Sequence, residues 1–406
     1  MIAYPAPAFA AAELPELLRP AIEKFRDAAE LDRRLPAELV EQLRAFGAFR
    51  LLTPRELGGH ELPLAANLDV LEQLGRIDGP TAWVVWNLNF GFCAAYLGDA
   101  AVERIWSAGP DPLIANSGQP GRLERTEDGY LLSGEWKIVS GVGASEWVML
   151  LSIVEPRPIE AAAERGEVEP GAEPEPEVAD NGPSGPGEVR FCLVPRADIS
   201  VHDTWQTFGM RGTNSNTVSV NRLPVPAELT MPFPVESRID RSAYRVPLVH
   251  LVFPGCAAVL LGMAQAAMDE LIELAGSKRG DDGQPLTHQP RIQALIGRSL
   301  VKLGAASGYL RETAGELDRL AEARMTATDS DCGALRGAIC LAAETAREVL
   351  VAAYEAGSSN PVYTSSRLGR IFLDGMVAAQ HANVAAVHYE LAGRTALGLP
   401  PNALFV

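Results

Sequence analysis

Residues Ser133–Val148 read Ser-Gly-Glu-Trp-Lys-Ile-Val-Ser-Gly-Val-Gly-Ala-Ser-Glu-Trp-Val. Apolar and polar residues alternate through the first half of this stretch, which is typical of a half-buried strand. Ser140-Gly141 interrupts the alternation where a regular strand favours branched or aromatic residues. A glycine there lets a ligand approach the backbone, and a serine hydroxyl both donates and accepts hydrogen bonds. The stretch predicts a strand that ends against a flat ligand, while a β-bulge with a solvent-facing serine fits the same spacing.

The composition indicates a large protein with more than one core. At 406 residues and 47% hydrophobic content, we expect two or three packed subdomains. No apolar run reaches the roughly 18 residues that a membrane span needs, and residues 1–12 do not resemble a signal peptide, so we expect a cytoplasmic protein. Because no Cys-x-x-Cys pair or metal-ligand spacing occurs, we expect no metal site and reduced, mostly buried cysteines. These are Cys93, Cys192, Cys256, Cys332 and Cys340.

The charge of the chain is strongly acidic and partly local. A net charge of −17 argues against nucleic acid as a partner, since phosphate binding needs clustered Lys and Arg. Ten acidic residues and only two arginines, Arg157 and Arg165, lie in the segment 155–188, which is also rich in Pro and Gly. Such a segment cannot bury enough apolar surface to order itself, so a mobile acidic insertion is predicted. An acidic docking patch for a reductase is the alternative.

Helical periodicity covers most of residues 1–111, which we predict to be an N-terminal helical domain. Two amphipathic helices are expected within 14–49, followed by helices at 62–76, 79–97 and 99–107. The helix 79–97 is rich in large residues, among them Trp86 and Phe90. Aromatic residues at this density are usually core, and the functional alternative is that these two wall an aromatic substrate pocket. His250 and Phe253, early in the C-terminal region, are assigned to the same pocket.

The period changes from helical to alternating between residues 112 and 228, which predicts a β-domain with a barrel or sandwich form. Its expected strands are 113–116, 122–126, 130–132, 136–139, 147–153, 189–195 and 217–223. The acidic insertion falls between two of them, where extra loop length is tolerated. Within this domain, Gly209-Met210-Arg211-Gly212-Thr213-Asn214-Ser215-Asn216 places many hydrogen-bond donors in a conformationally permissive loop.

Residues 229–406 predict a C-terminal four-helix bundle, because long Ala-rich helices need neighbours to be stable. The expected helices are 244–275, 290–325, 331–356 and 367–397. The fold class is therefore α+β, in the order helical domain, β-domain, helix bundle. This order resembles the acyl-CoA dehydrogenase fold over nearly the whole chain. The stretch 133–148 and the loop 209–216 most resemble its oxygen-using branch, the reduced-flavin-dependent two-component monooxygenases.

The resemblance assigns flavin contacts along the opening stretch. In the dehydrogenases the matching strand carries a Trp-Ile-Thr triplet whose threonine bonds flavin N5. Aligning Gly134-Glu135 with the Gly-Glu of that family places Ile138 at the tryptophan and Ser140 at the threonine. Gly141 and, from an earlier strand, Asn116 and Ser117 are assigned to the flavin with them.

Further flavin contacts are implied elsewhere in the chain. The loop 209–216 resembles the Gly-Met-Arg-Gly-Thr-Gly-Ser-Asn motif of the monooxygenase branch, with Asn214 replacing the third glycine. Arg211, Thr213 and Ser215 are assigned to the flavin on that basis, and a surface salt bridge is an equal alternative for Arg211. Arg279 and Gln289 resemble the residues with which a neighbouring subunit holds the adenylate part of FAD, at a spacing one residue short.

The catalytic base of the dehydrogenases is missing from both positions where the family places a glutamate. Counting from Asp374 puts the usual position at Ala382, and the less common position falls at Val252. Instead, Gln380-His381 follows a Tyr-x-Ser-Ser-x-Leu-x-Arg run, which resembles the oxygenase branch. There the histidine faces flavin and substrate. A histidine can donate or accept a proton near neutral pH, so His381 and Ser140 are the predicted catalytic residues.

The function that the resemblance implies is the oxygenase component of a two-component flavin monooxygenase. Reduced FMN, with FAD kept open, comes from a separate NAD(P)H-dependent reductase and reacts with O2 to give a C4a-hydroperoxide. Oxygen then passes to an aromatic or polycyclic small molecule. The alternatives are N-hydroxylation of an amine or amino sugar, an acyl-CoA dehydrogenase with its base at Glu270 or Glu273, and a non-catalytic flavin-binding protein. A homotetramer is also implied by the family.

Overall fold

The structure is a computed structural model, and it describes residues 2–155, 187–280 and 283–400. The N-terminal helices are α1 (Leu14–Asp32), α2 (Ala37–Ala45), α3 (Leu64–Ile77), α4 (Gly79–Leu88) and α5 (Asp99–Trp106). The strands are β1 (Ile114–Arg125), β2 (Gly129–Val139), β3 (Trp147–Val154), β4 (Val189–Pro195), β5 (Ser200–His202), β6 (Asn216–Pro226) and β7 (Thr230–Phe233). The later helices are α6 (Ser242–Arg245), α7 (Leu248–Val252), α8 (Pro254–Ser277), α9 (Pro290–Glu322), α10 (Asp329–Ala356), α11 (Arg367–Ala378) and α12 (His388–Ala396). The predicted order of helices, sheet and helices is confirmed.

The N-terminal helices pack onto the C-terminal ones through a shared apolar core. Helix α3 lies along α8, where Gly75 and Gly262 allow the two backbones to come close. Asp318 of α9 accepts hydrogen bonds from the backbone N–H groups of Leu64 and Ala65, at 2.7 and 2.9 Å. These N–H groups have no partner within their own helix, and a carboxylate at a helix N-terminus is favoured by the helix dipole. The two helical regions are therefore joined by polar as well as apolar contacts.

The predicted helix 79–97 ends early. Helix α4 stops at Leu88, and a 3₁₀ helix follows at Phe90–Ala95. The side chain of Asn89 explains the break, because its Nδ2 donates to Ala48 O at 2.6 Å and its Oδ1 accepts from Leu52 N at 3.3 Å. These bonds to another segment replace the next intrahelical turn, as asparagine side chains commonly do.

The seven strands form one open mixed sheet in the order β5-β6-β2-β1-β3-β4-β7. The prediction of a barrel or sandwich is wrong in this respect, because β5 and β7 lie at opposite edges and do not pair with each other. Strands β1 and β3 are parallel, while the other pairs are antiparallel. Two strands were each predicted as a pair of short ones, since Gly118-Gln119-Pro120 and Ser133-Gly134 look like turns. They are bulges instead, where the pairing shifts register. Strand β7 reaches Phe233, beyond the predicted boundary at residue 228.

The acidic insertion joins two neighbouring antiparallel strands, β3 and β4. Residues 156–186 of the predicted mobile segment 155–188 lie outside the described residues. At its base, Val154 N donates to Glu188 O at 2.8 Å.

The C-terminal helices are more broken than predicted. Pro247 and Pro254 divide the first predicted helix into α6, α7 and α8, because proline lacks the N–H that a helix interior needs. The last predicted helix divides into α11 and α12, with a 3₁₀ turn at Ala382–Val384 between them. Helix α10 packs against α8, α9, α11 and α12. The described cysteines are all free and buried, which confirms that prediction.

Among the described residues, one helical run, Leu248–Ser277, which comprises α7 and α8, is long and apolar enough to cross a membrane by length and composition. The sequence prediction overlooked it, since His250, Pro254 and Gln265 interrupt the apolar run. Of its most apolar window, 89% is buried inside the protein. Neighbouring helices therefore cover this surface, and α8 is a core helix.

Candidate active site

The end of β2 is distorted where the sequence places Ser140-Gly141. Ile138 has a φ of 59° and Gly141 a φ of 74°, and the pairing with β6 shifts register between Trp136 and Val139. Positive φ is rare for a branched residue because its Cβ crowds the backbone. Ile138 is 57% exposed. Strand β2 thus ends in a strained turn that presents an uncovered apolar side chain next to Ser140.

Three buried hydroxyl groups, those of Ser140, Ser215 and Thr213, form a continuous line that we call the hydroxyl row. Ser140 Oγ lies 2.8 Å from Ser215 Oγ, which lies 2.6 Å from Thr213 Oγ1. Thr213 Oγ1 donates to Met210 O at 2.8 Å. Gly141 N also donates to Thr213 O at 2.8 Å. The loop 209–216 and the end of β2, both singled out in the sequence, therefore form one hydrogen-bonded unit.

His381 packs against two neighbouring indole rings of α4, whose centroids are 4.9 Å apart. Its ring centroid is 5.4 Å from that of Trp83 and 5.5 Å from that of Trp86, in edge-to-face geometry. Trp83 Nε1 donates to Ser140 Oγ at 3.3 Å. The two predicted catalytic residues thus contact the same indole, and Trp83 is a site residue that the sequence prediction did not assign.

The hydrogen bond at His381 decides how its ring can act. Its Nδ1 accepts from the backbone N–H of Asn383 at 3.2 Å, at the start of the 3₁₀ turn. Burial lowers the pKa of His381 to about 4, so the ring is neutral at pH 7. A neutral ring with Nδ1 as acceptor carries its proton on Nε2. His381 is therefore a hydrogen-bond donor rather than a group ready to remove a proton.

Asn116 reaches the site through α4. Its Nδ2 donates to Asn87 O at 3.1 Å, and Asn87 Nδ2 donates to Trp83 O at 3.0 Å. Ser117 is buried, and its Oγ accepts from Gln119 N at 3.3 Å. The structure brings Asn116 to the tryptophan beside Ser140, whereas the hydroxyl of Ser117 stabilises the local turn.

Asp374 of α11 holds the loop 209–216 in place. Its buried Oδ1 accepts the backbone N–H of Met210, a residue with a φ of 53°. Gly209 packs so closely on α11 that a Cβ there would lie 2.3 Å from Leu373 O. Burial raises the pKa of Asp374 well above its ordinary value, against the opposing charge of Arg370. The sequence analysis used Asp374 only as the reference from which the usual position of the catalytic glutamate, Ala382, was counted, and it assigned Asp374 no role.

A small cavity lies against Trp86. Its volume is about 10 Å³, roughly the space of one water molecule, so a larger ligand requires side chains of the lining to move. Asn67 is 2% exposed, and its Oδ1 has no hydrogen-bond partner among the described residues. The lining includes the predicted pocket residues Trp86 and Phe90, together with Asn67, Leu71, Asn89, Phe92, Leu251 and Val252.

His250 and Phe253, the other predicted pocket residues, belong to a different environment. The guanidinium of Arg336 lies 4.6 Å from the centre of the Phe253 ring. His250 is 1% exposed, and neither ring nitrogen has a hydrogen-bond partner among the described residues. Burial, aided by the charge of Arg336, lowers the pKa of His250 to about 3. His250 is thus a neutral core histidine beside the cavity of Trp86, and it does not line that cavity.

Replacing His250 with phenylalanine is expected to make the protein less sensitive to acid. The unfolded chain takes up a proton below pH 6.5, whereas the folded chain keeps His250 neutral down to about pH 3, so stability falls as pH decreases through this range. At pH 5 the loss is about 2 kcal/mol. Urea unfolding at pH 8 and pH 5 should show a gap between the two pH values that is smaller by that amount in H250F. The same change at exposed His202 is the control, and an equal gap in H250F and wild type would contradict the prediction.

The structure does not bring three of the predicted cofactor residues to this site. Arg211 Nε donates to the backbone O of Glu30 at 3.0 Å, and its guanidinium forms an ion pair with the Glu30 carboxylate at 3.2 Å. Arg279 donates to Gly283 O, and Gln289 caps α9. Both lie beyond the far end of α8, whose 24 residues span about 36 Å. Arg279 and Gln289 therefore lie at the opposite end of α8 from Gly255, which contacts Trp86.

Two models of known protein families match this chain. Residues 8–106 match the model of the acyl-CoA dehydrogenase N-terminal domain, and residues 255–386 match that of the acyl-CoA dehydrogenase C-terminal domain. Together they cover more than half of the chain. The chain belongs to the acyl-CoA dehydrogenase family.

The relatives of this family member include monooxygenases. It is 26% identical to the indole-3-acetate monooxygenase of Pseudomonas putida, over 98% of this chain and 97% of that protein. It is 25% identical to the oxygenase component of the FADH(2)-dependent resorcinol hydroxylase of Rhizobium sp. (strain MTP-10005), over 74% of this chain and 72% of that protein. The structure of XiaF from Streptomyces sp., in complex with FADH2 and glycerol, has a TM-score of 0.82 and 26% identity, covering 97% of this chain and 98% of XiaF.

The residues at the end of β2 in this family member fit a reduced flavin. Ile138 offers an exposed apolar surface for a flat ring, and Ser140 Oγ is a small polar atom beside it. Gly141 leaves the backbone without a side chain at this turn, where a Cβ would lie 3.0 Å from Leu88. A bound flavin would supply the chemistry toward oxygen, and these residues would orient it.

Proposed function

We propose that this family member is the oxygenase component of a two-component flavin monooxygenase that hydroxylates an aromatic or polycyclic small molecule. The observation that carries the proposal is His381, which packs against both Trp83 and Trp86 next to the hydroxyl row. Ser140 is proposed to contact flavin N5. His381 is proposed to orient the substrate through its Nε2–H, since Nδ1 is occupied by Asn383.

Among the described residues, the positions considered for the base of a dehydrogenase offer none near this site. Position 382 is alanine and position 252 is valine. Glu270 forms an ion pair with Arg367 at 3.2 Å. Glu270 also lies fifteen residues along α8 from Gly255, which contacts Trp86, and this is about 22 Å. Glu273 lies one turn farther. These placements favour oxygen transfer over proton abstraction from a thioester.

The lining of the cavity favours an aromatic substrate over an amino sugar. Trp86, Phe90 and Phe92 offer ring faces and edges, which pack best against another ring. A sugar would need several converging polar groups, and Asn67 and Asn89 are the polar side chains of this lining. Both amide atoms of Asn89 are already hydrogen-bonded to backbone groups.

Rapid mixing tests the proposal. Anaerobic protein with reduced FMN is mixed with oxygenated buffer and a panel of phenols and indoles, under isotopically labelled O2. We expect slower return to oxidised flavin than without protein, and a product that contains one labelled oxygen atom. Reoxidation at the rate of free flavin, with bleaching of bound oxidised FAD by acyl-CoA compounds, would instead support a dehydrogenase. Flavin binding without any product would support a non-catalytic protein.

Asn67 is proposed to accept a hydrogen bond from the substrate, which predicts a preference for rings with N–H or O–H donors. Its buried Oδ1 lacks a partner, and an unsatisfied buried acceptor costs about 1–3 kcal/mol. We expect indole to bind about tenfold more tightly than indene, which has the same shape without the donor. In N67L that difference should disappear. Quenching of tryptophan fluorescence measures both dissociation constants.

Leu71→Val is the matched control for Asn67, because Leu71 lines the same cavity with no polar atom. This change should alter the affinity for indole and indene equally. If N67L keeps the wild-type ratio between the two ligands, Asn67 does not contact the donor.

The remaining partners follow from the same proposal. A separate NAD(P)H-dependent reductase supplies reduced FMN or FAD to a cytoplasmic enzyme. Arg279 and Gln289 are proposed to hold the distal part of the flavin of a neighbouring subunit in a homotetramer, since they lie at the opposite end of α8 from Trp86.

A further inference from the structure

The directions of the hydrogen bonds in the hydroxyl row follow from a count of protons. A hydroxyl has one hydrogen to donate and two lone pairs that accept. Thr213 Oγ1 lies 2.8 Å from Met210 O, and a carbonyl oxygen can only accept, so Thr213 donates there. Without a hydrogen between them, two oxygens at this distance would repel each other. The single proton of Thr213 is therefore used.

The same count of protons fixes the donor and the acceptor at each of the remaining contacts of the hydroxyl row. Thr213 Oγ1 must accept from Ser215, because its own proton points to Met210 O. Ser215 has then used its proton, so Ser140 donates to Ser215 across the 2.8 Å contact. Trp83 Nε1–H donates to one lone pair of Ser140 Oγ. Ser140 is left with one lone pair and no proton for a ligand.

We propose that the hydroxyl row makes Ser140 a hydrogen-bond acceptor only, and thereby selects the reduced over the oxidised form of the flavin. This inference rests on the proposed function and on a contact between Ser140 and flavin N5. The N5 atom carries a hydrogen in reduced flavin and a lone pair in oxidised flavin. An acceptor bonds the first and repels the second. Thr213 and Ser215 are positioning residues, since they act through Ser140.

The end of the row is anchored independently of the flavin. Met210 O also accepts from Trp205 Nε1 at 2.9 Å, and the N–H of the same residue is held by Asp374. The peptide groups on both sides of Met210 are thus fixed by side chains of two other segments. The carbonyl that orients the row therefore cannot turn away without breaking these bonds.

Affinities for both redox forms of FMN test the inference without turnover. The dissociation constants of oxidised FMN and of anaerobic reduced FMN are measured for the full chain and for S215A, T213V and T213S. In S215A the proton of Ser140 loses its acceptor, and in T213V Ser215 can turn its own proton toward Ser140, so in both variants the proton of Ser140 becomes available to a ligand. We expect oxidised FMN to bind about tenfold more tightly in both variants, with little change for reduced FMN. The potential of the bound flavin should fall by about 30 mV, the equivalent of a tenfold ratio for two electrons.

T213S keeps the donor to Met210 O and should behave as wild type. S145A is the matched control, because Ser145 donates to Val142 O just after β2 and is not part of the row. Unchanged ratios in both S215A and T213V would overturn the inference while flavin binding still supported the proposed function. Failure of wild-type protein to bind either redox form would overturn both.

Discussion

Replacing His381 with alanine is expected to lower the yield of hydroxylated product by about a hundredfold while reduced FMN still binds. The ring packs against Trp83 and Trp86 with its Nε2–H available to a substrate, and loss of substrate orientation by about 1 Å has effects of this size. Reduced flavin would then give hydrogen peroxide instead of product. The ratio of product to peroxide, measured with the most active compound of the panel, checks this.

His381→Asn separates the proposed contact of Nε2 with the substrate from the hydrogen bond that Nδ1 accepts from the backbone N–H of Asn383. Asparagine can accept the N–H of Asn383 as Nδ1 does, and it is a good residue before a helical turn, but it lacks Nε2. We expect H381N to fold as wild type and to lose product as H381A does. If H381N were fully active, the histidine would serve the turn Ala382–Val384 and not the substrate.

Gly209→Ala is expected to destabilise the protein by about 3 kcal/mol and to weaken reduced flavin binding at the same time. A Cβ at this position would lie 2.3 Å from Leu373 O and 2.8 Å from Asp374 N, both backbone atoms that cannot swing aside. The loop must then lift from α11, and Met210 loses its hydrogen bond to Asp374. The end of the hydroxyl row moves with Met210. Urea unfolding and the dissociation constant for reduced FMN measure the two effects.

Gly276→Ala is the control for this change. A Cβ at Gly276 meets no atom within 4 Å, and alanine is favoured over glycine inside a helix such as α8 by up to about 1 kcal/mol. This variant should be as stable as wild type or more so, with unchanged flavin affinity. If G209A were as stable as G276A, the loop would tolerate separation from α11 and Asp374 would not anchor it.

Local sequence patterns were enough to predict the parts of the site that depend on adjacent residues. Ser140-Gly141 interrupts an alternating strand, and the loop 209–216 is dense in small polar residues, so both stood out from spacing and chemistry. The missing base at Ala382 and Val252, with His381 in its place, came from the resemblance to a family. The helical and β regions also follow from periodicity, because the 3.6- and 2-residue repeats are properties of neighbouring residues.

Contacts between residues distant in the sequence were decided by the tertiary structure, because periodicity reports only on neighbouring residues. Whether the sheet closes depends on which strands meet at its edges, and β5 and β7 do not. Trp83, Asn67 and Asp374 look like ordinary helix residues, and only the packing of α3, α4 and α11 places them against Ser140, the cavity and Met210. Ser140 as a serine was visible in the chain. The direction of its hydrogen bond was not, because its proton is placed by hydrogen-bond partners that come from two other segments, α4 and the loop 209–216.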